Sequence, residues 1–216
     1  IRHLHTENPD ALIVVTGCYG QRAGHALLSI PGVALVTGNG EKDKLAELVD
    51  NLNERQIPRL DVSNIMMRRH FPNAKVKEKT TSRVRDYLKI QDGCEQFCTY
   101  CIVPYVRGPV VSRPYDDIIA EARCLDARGF KELVLTGIHT GFYGKDLPDD
   151  VNLVTVLKGL LKETGIQRFR LSSLEPKEVS DELIDLVASE ERLCNHFHIP
   201  LQSGDNEILK KMNRPY

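Results

Sequence analysis

No stretch of this 216-residue chain comes near the roughly 18 to 20 consecutive apolar residues that a membrane span needs. The opening Ile1-Arg2-His3-Leu4-His5 also lacks the charged start and apolar core of a secretory leader. These two absences lead to the expectation of a cytoplasmic protein. Low-complexity tracts are missing, and 41% apolar with 27% charged residues is the composition of a globular chain rather than a disordered one. An excess of one charge is missing too, since the formal net charge is −1. That sum hides a local imbalance: between Ile57 and Arg85, Arg59, Arg68, Arg69, Lys75, Lys77, Lys79, Arg83 and Arg85 stand against only Asp61 and Glu78. Such a stretch either faces phosphates or is a solvated linker. A disulfide framework is not expected, because the six cysteines belong to a chain that is not small and carries no mark of secretion.

The apolar runs Leu12-Ile13-Val14-Val15 and Val33-Ala34-Leu35-Val36, joined by a Gly-containing turn, read as strands, and Leu45, Leu48, Val49 and Leu52 form one helical stripe. Residues 1–56 are therefore expected to be the end of an α/β domain with buried parallel strands. Residues 57–85 show no period and carry Pro58 and Pro72, which suggests a linker with at most one short element. From Asp86 to Tyr216 strand-like and helix-like segments alternate. Strands are predicted at Tyr87–Ile90, Leu133–Leu135, Arg168–Leu171 and Phe197–Ile199. Helices are predicted to begin at Pro114, to run through Leu153, Leu157, Leu160 and Leu161, and to start from the caps Ser180 and Asp205. Four such βα units imply a parallel sheet, open or the first half of a barrel. Polar residues gather after each strand: Gln91 and Asp92, Thr136 to His139, Ser172, Ser173 and Glu175, then Gln202 and Ser203. That edge of a parallel sheet is where ligands bind. Ile1 and Tyr216 both look like cuts in a longer chain.

Three of the cysteines, Cys94, Cys98 and Cys101, lie within one loop after the first of these strands. Three thiolates can hold three irons of a cubane and leave the fourth open to a small molecule. A structural zinc ion would need a fourth protein ligand, and none stands at the usual spacing. Cys124 lies in a helix and reads as a small buried hydrophobe.

The Cys-x3-Cys-x2-Cys loop, with Tyr100 before its last cysteine, resembles the signature of the radical S-adenosylmethionine (SAM) superfamily. The wider match from Gln91-Asp92-Gly93-Cys94 through Ile102–Gly108 to Ser112-Arg113-Pro114, and again over His198–Gly204 and Leu209–Arg214, resembles the tRNA methylthiotransferase family. That resemblance implies a partial (βα) TIM-like barrel over 86–216, preceded by the carboxyl-terminal part of the family's amino-terminal domain. It implies a SAM-binding 4Fe–4S cluster on Cys94, Cys98 and Cys101 and cleavage of SAM to a 5′-deoxyadenosyl radical. Val15–Gln21 resembles the segment carrying the third cysteine of the amino-terminal domain, which makes Cys18 a ligand of a second 4Fe–4S cluster whose two other ligands lie outside this chain. Gly20 stands there where alanine is common, a change expected to matter little. The resemblance further implies tRNA as substrate, SAM, an electron donor such as flavodoxin, no membrane and a monomer.

Members of this family modify isopentenyladenosine, threonylcarbamoyladenosine or a ribosomal aspartate. Leu135–Gly144 and Leu171–Pro176 resemble the bacterial threonylcarbamoyladenosine branch. No residue stands out as the catalyst. His139 is either a polar loop residue or a contact to SAM or base. Arg107 and Arg113 flank the cysteine loop and suit SAM carboxylate, cluster charge or RNA phosphate, with a structural ion pair equally open for Arg107. Ser173, Glu175 and Gln202 suit the polar groups of SAM, Glu175 its ribose hydroxyls.

Overall fold

The computed structural model describes residues 1–52, 57–72, 84–148, 150–214 and 216. Lys75, Lys77, Lys79 and Arg83 of the basic stretch lie outside them. The chain forms two compact units: Ile1–Ala74 with Ile102–Pro109, and Lys75–Cys101 with Val110–Tyr216.

The first unit opens with helix α1 (Arg2–Glu7) and alternates β1 (Ile13–Val15), α2 (Cys18–Leu28), β2 (Val33–Thr37), α3 (Leu45–Asp50) and β3 (Arg59–Asp61). Its sheet is parallel throughout, in the order β1-β2-β3. All five residues of the central β2 are buried, as an unbroken apolar run in the middle of a parallel sheet must be. β3 lies inside the stretch expected as linker, so the sheet extends past residue 56 and ends in a short 3₁₀ turn at Ile65–Met67. Gly20 is more consequential than expected. A Cβ there would sit 2.4 Å from the Thr37 carbonyl oxygen, so α2 lies closer to β2 than an alanine permits.

The second unit is built on β4 (Arg85–Lys89), β7 (Glu132–Thr136) and β8 (Arg168–Leu171), parallel and in the order β4-β7-β8. Leu88 pairs with Leu135, and Leu135 with Leu171. After β4 the chain makes a two-residue strand β5 (Gln91–Asp92), antiparallel to β6 (Val111–Ser112). Between β5 and β6 run the cysteine loop and helix α4 (Val103–Arg107), and α4 belongs to the first unit.

Helices α5 (Tyr115–Ala127), α6 (Leu153–Glu163), α7 (Asp181–Ser189) and α8 (Asn206–Lys211) follow. α5 buries Ile118, Ile119, Ala122 and Leu125, the stripe its periodicity predicts. α6 starts at a capping box of Asn152 and Thr155. Ser180 and Asp205 accept from Leu183 N–H and Ile208 N–H and so cap α7 and α8. The core joins these faces to the sheet through Leu88, Leu135, Leu157, Leu160 and Phe169. Each such buried side chain contributes roughly 1.5–3 kcal/mol.

One expectation for this unit fails. Phe197–Ile199 is not a strand: the segment touches the β8 region only at isolated parallel bridges, Leu193 to Phe169 and His198 to Ser173. Pro200, lacking an N–H, cannot extend the pairing.

Candidate metal and cofactor site

Because β4, β7 and β8 are parallel, the segments after them emerge at one edge of the sheet. The cysteine loop follows β4 and β5, His139 follows β7, and Ser173 and Glu175 follow β8. Gln91, fully buried, ties the first two together. Its Nε2 donates to the Asp92 and Gly93 carbonyls at 2.8 and 2.7 Å, and its Oε1 accepts the His139 backbone N–H at 2.8 Å. Gly137 is needed beside it, since a Cβ there would lie 2.8 Å from Gln91 Oε1. Asp92 receives the Gly93 N–H at 2.9 Å and the Lys89 ammonium at 2.8 Å, which fixes the entry to the loop.

All three loop cysteines are free thiols, Cys98 buried and the other two half-buried. Cys94 Sγ lies 3.5 Å from His139 Nδ1 and accepts the Gln96 N–H at 3.5 Å. Cys98 Sγ accepts from the Arg214 guanidinium at 3.3 Å. Arg214 in turn pairs with Glu175 at 2.6 Å, both side chains buried. His139 stacks on Phe142 with ring centroids 3.7 Å apart and meets the Glu178 carboxylate. Burial opposes a charge on His139, yet its hydrogen bonds to Cys94 and Glu178 outweigh it and push the imidazole up to about 9. The structure thus gathers Cys94, Cys98, His139 and Glu175 through two residues that the sequence did not single out, Glu178 and Arg214. Ser173 lies alongside and accepts from Thr140 Oγ1 at 2.8 Å.

Arg113 is buried against Glu121 of α5, and its carbonyl accepts the Tyr143 hydroxyl at 2.9 Å, so it braces the frame. Gln202 is exposed, with a left-handed φ of +65°.

The donor set fits an iron–sulfur cluster. N–H groups of Arg214 and Gln96 are aimed at the sulfurs, as ligand thiolates require to spread their charge. Three thiols on one loop suit a cubane, where each takes a different iron. Beside them, Glu175 Oε2 and Ser172 Oγ are buried without a hydrogen-bond partner in the structure, and unsatisfied buried acceptors are costly unless a ligand meets them.

In the first unit, Cys18 is the first residue of α2, after Gly17 at φ +101°. Asn39, 4% exposed, donates from Nδ2 to Cys18 Sγ at 3.4 Å and to the Val106 carbonyl at 2.7 Å. Burial works against the thiolate, but the Asn39 hydrogen bond and the nearby Arg107 and Lys42 charges hold the thiol below its usual range. Arg107 is therefore placed beside Cys18. Gln21 joins Asn39 N–H to the Ser63 carbonyl, and Glu41 accepts from Gly38 and Ser63 N–H.

Residues 88–216 match the radical SAM superfamily. The whole chain is similar to the threonylcarbamoyladenosine tRNA methylthiotransferase MtaB of Bacillus subtilis (strain 168), at 42% identity over 100% of this chain and 48% of that protein. MtaB of Aquifex aeolicus (strain VF5) is 41% identical over 97% of this chain and 50% of its own length. The tRNA-2-methylthio-N6-dimethylallyladenosine synthase of Syntrophobacter fumaroxidans is 37% identical, over 100% and 47%. The chain thus spans about half the length of the curated relatives it matches. Among solved structures, the radical SAM methyltransferase TsrM of Kitasatospora setae, with cobalamin and a 4Fe–4S cluster bound, superposes with a TM-score of 0.65 at 17% identity, over 96% of this chain and 46% of that one. At that identity the likeness concerns the fold.

Proposed function

The chain belongs to the radical SAM superfamily, and on that premise we propose that it is part of a tRNA methylthiotransferase converting the C2–H of threonylcarbamoyladenosine to C2–SCH3. One observation carries the reading: the Cys94–Cys101 loop sits at the carboxyl edge of a parallel sheet beside His139, Glu175 and Arg214. The chain's 42% identity to a threonylcarbamoyladenosine enzyme supports this branch. Cys94, Cys98 and Cys101 would hold the cluster. When bound there, the cluster and SAM supply the one-electron chemistry that breaks a carbon–sulfur bond.

The chain's own residues arrange that site. Arg214 keeps a positive charge against Cys98 and Glu175, which offsets the negative charge of a thiolate-ligated cluster. The unpartnered Glu175 oxygen accepts from a hydroxyl or ammonium of SAM, and Ser173 adds a second polar contact. His139, held by Gln91, Phe142 and Glu178, stands against Cys94. Arg113 stabilises the frame through Glu121. Cys18 serves a second cluster with ligands beyond this chain, and Arg107 balances its charge. The described arginines of the basic stretch, Arg59, Arg68, Arg69 and Arg85, suit tRNA phosphates. An electron donor such as flavodoxin, a monomeric state and a cytoplasmic setting complete the proposal.

Nucleoside mass spectrometry of tRNA from a strain lacking the gene tests it. The 2-methylthio form of threonylcarbamoyladenosine should vanish while 2-methylthio-isopentenyladenosine stays at its normal level. Loss of the second instead would assign the protein to the other tRNA branch. Purified full-length protein carrying zinc and no sulfide after anaerobic reconstitution would overturn the cluster itself.

A further inference from the structure

The cysteine loop is held from a distant part of the chain. Thr99 donates its backbone N–H to the Met212 carbonyl and its hydroxyl to the Lys211 carbonyl, both at 3.1 Å. Asn213 donates from Nδ2 to the Gln96 and Phe97 carbonyls at 3.3 and 3.1 Å. The next residue, Arg214, reaches Cys98 Sγ. These links join residues 112 to 117 positions apart and converge on the middle of the loop, between Cys94 and Cys101.

Each partner has a physical need for the other. The last carbonyls of a helix lack intrahelical donors, and Thr99 supplies two donors to the end of α8. The loop carries Phe97 at φ +48°, a left-handed conformation unfavourable for a bulky side chain and kept only where the surroundings hold it. Asn213, itself left-handed at φ +56° and of a residue type that tolerates that region, grips the Phe97 carbonyl. α8 is anchored at its other end by the Asp205 cap and buries Leu209, so it offers a firm base.

We infer that the end of α8, from Lys211 to Arg214, is a latch that holds the cysteine loop in its ligating shape. Thr99 and Asn213 are positioning residues for the cluster and touch neither iron nor SAM. The inference rests on the cluster reading proposed above.

The test uses full-length protein, anaerobically reconstituted in a Cys18→Ala background so that the loop's cluster alone is scored. Thr99→Val removes one donor, and Asn213→Asp keeps the size and the left-handed tolerance while removing the amide donor. Both variants should release iron to a chelator about 10-fold faster than the parent, the usual consequence of losing a group that orients metal ligands. The electron paramagnetic resonance spectrum of the reduced cluster should change shape, and the melting profile should not move. Iron release at the parent's rate, or faster release that merely follows a fallen melting temperature, overturns the latch. A parent that takes up no iron and sulfide refutes the cluster reading and the latch with it.

Discussion

Cys94, Cys98 and Cys101 share one loop, and the side chains that reach Cys94 and Cys98 come from residues 45 and 116 positions away, His139 and Arg214. Cys18 stands alone on α2, and its hydrogen-bond donor Asn39 lies 21 positions on. The first arrangement declares its chemistry locally, because three thiols at metal-ligand spacing have few other uses, while the side chains that meet the sulfurs are non-local. In the second arrangement the chemistry is not declared at all, and the scaffold too is drawn from afar, with Asn39 bonding the Val106 carbonyl 67 positions away. A lone cysteine with a depressed pKa beside an arginine is a nucleophile, a ligand or neither until its missing partners are known.

The largest expected effect tests whether the loop is self-sufficient. Cys98→Ala in the full-length protein should reduce SAM cleavage to background, measured as 5′-deoxyadenosine, because two thiolates cannot hold a cubane firmly. Cys124→Ala and Cys194→Ala should keep full cleavage, since both residues sit in packed segments. Full cleavage by the Cys98 variant would remove the loop from the mechanism.

Cys18→Ala sharpens the contrast. The loop has its own three ligands, so this variant should still make 5′-deoxyadenosine at close to the parent's rate. Its tRNA should stop at threonylcarbamoyladenosine without the methylthio group, as read by mass spectrometry of digested tRNA. Normal methylthiolation would reduce Cys18 to a buried cysteine.

The smallest effect concerns the frame that carries Cys18. Gly20→Ala places a Cβ 2.4 Å from the Thr37 carbonyl, and overpacking of this kind costs about 1–3 kcal/mol. Urea denaturation should show that loss in the transition of the first unit. An unchanged midpoint would mean that α2 shifts freely on β2.

The helices α5 to α8 were legible because their signals are local: Ser180 and Asp205 bond donors three positions on, and the α5 stripe recurs within one helix. Helices α1 and α4 were not foreseen, and α2 stands where only a Gly-containing turn was expected. Phe197–Ile199 misled because apolar residues alternating with a histidine have strand composition, whereas pairing depends on a neighbour with free ladder positions and on Pro200, one to three residues away. Gln91 was visible only as a polar residue after a strand. Its role as the staple between the cysteine loop and His139 depends on β4 pairing with β7, 47 positions later by the Leu88 to Leu135 register.

What the sequence determined by itself is the chemistry of the loop and the βα alternation, since ligand spacing, capping and periodicity act within a few residues. The tertiary structure alone decided which groups surround the sulfurs. Glu178 reaches the site from the segment after β8, because a parallel sheet brings the ends of distant strands to one edge, and Asn213 and Arg214 reach it because the end of α8 bonds to the cysteine loop. It also decided that Arg107 serves Cys18 and that Arg113 serves Glu121. Arginines 6 and 12 residues beyond the last loop cysteine can turn toward several neighbours, and only the packed chain selects one.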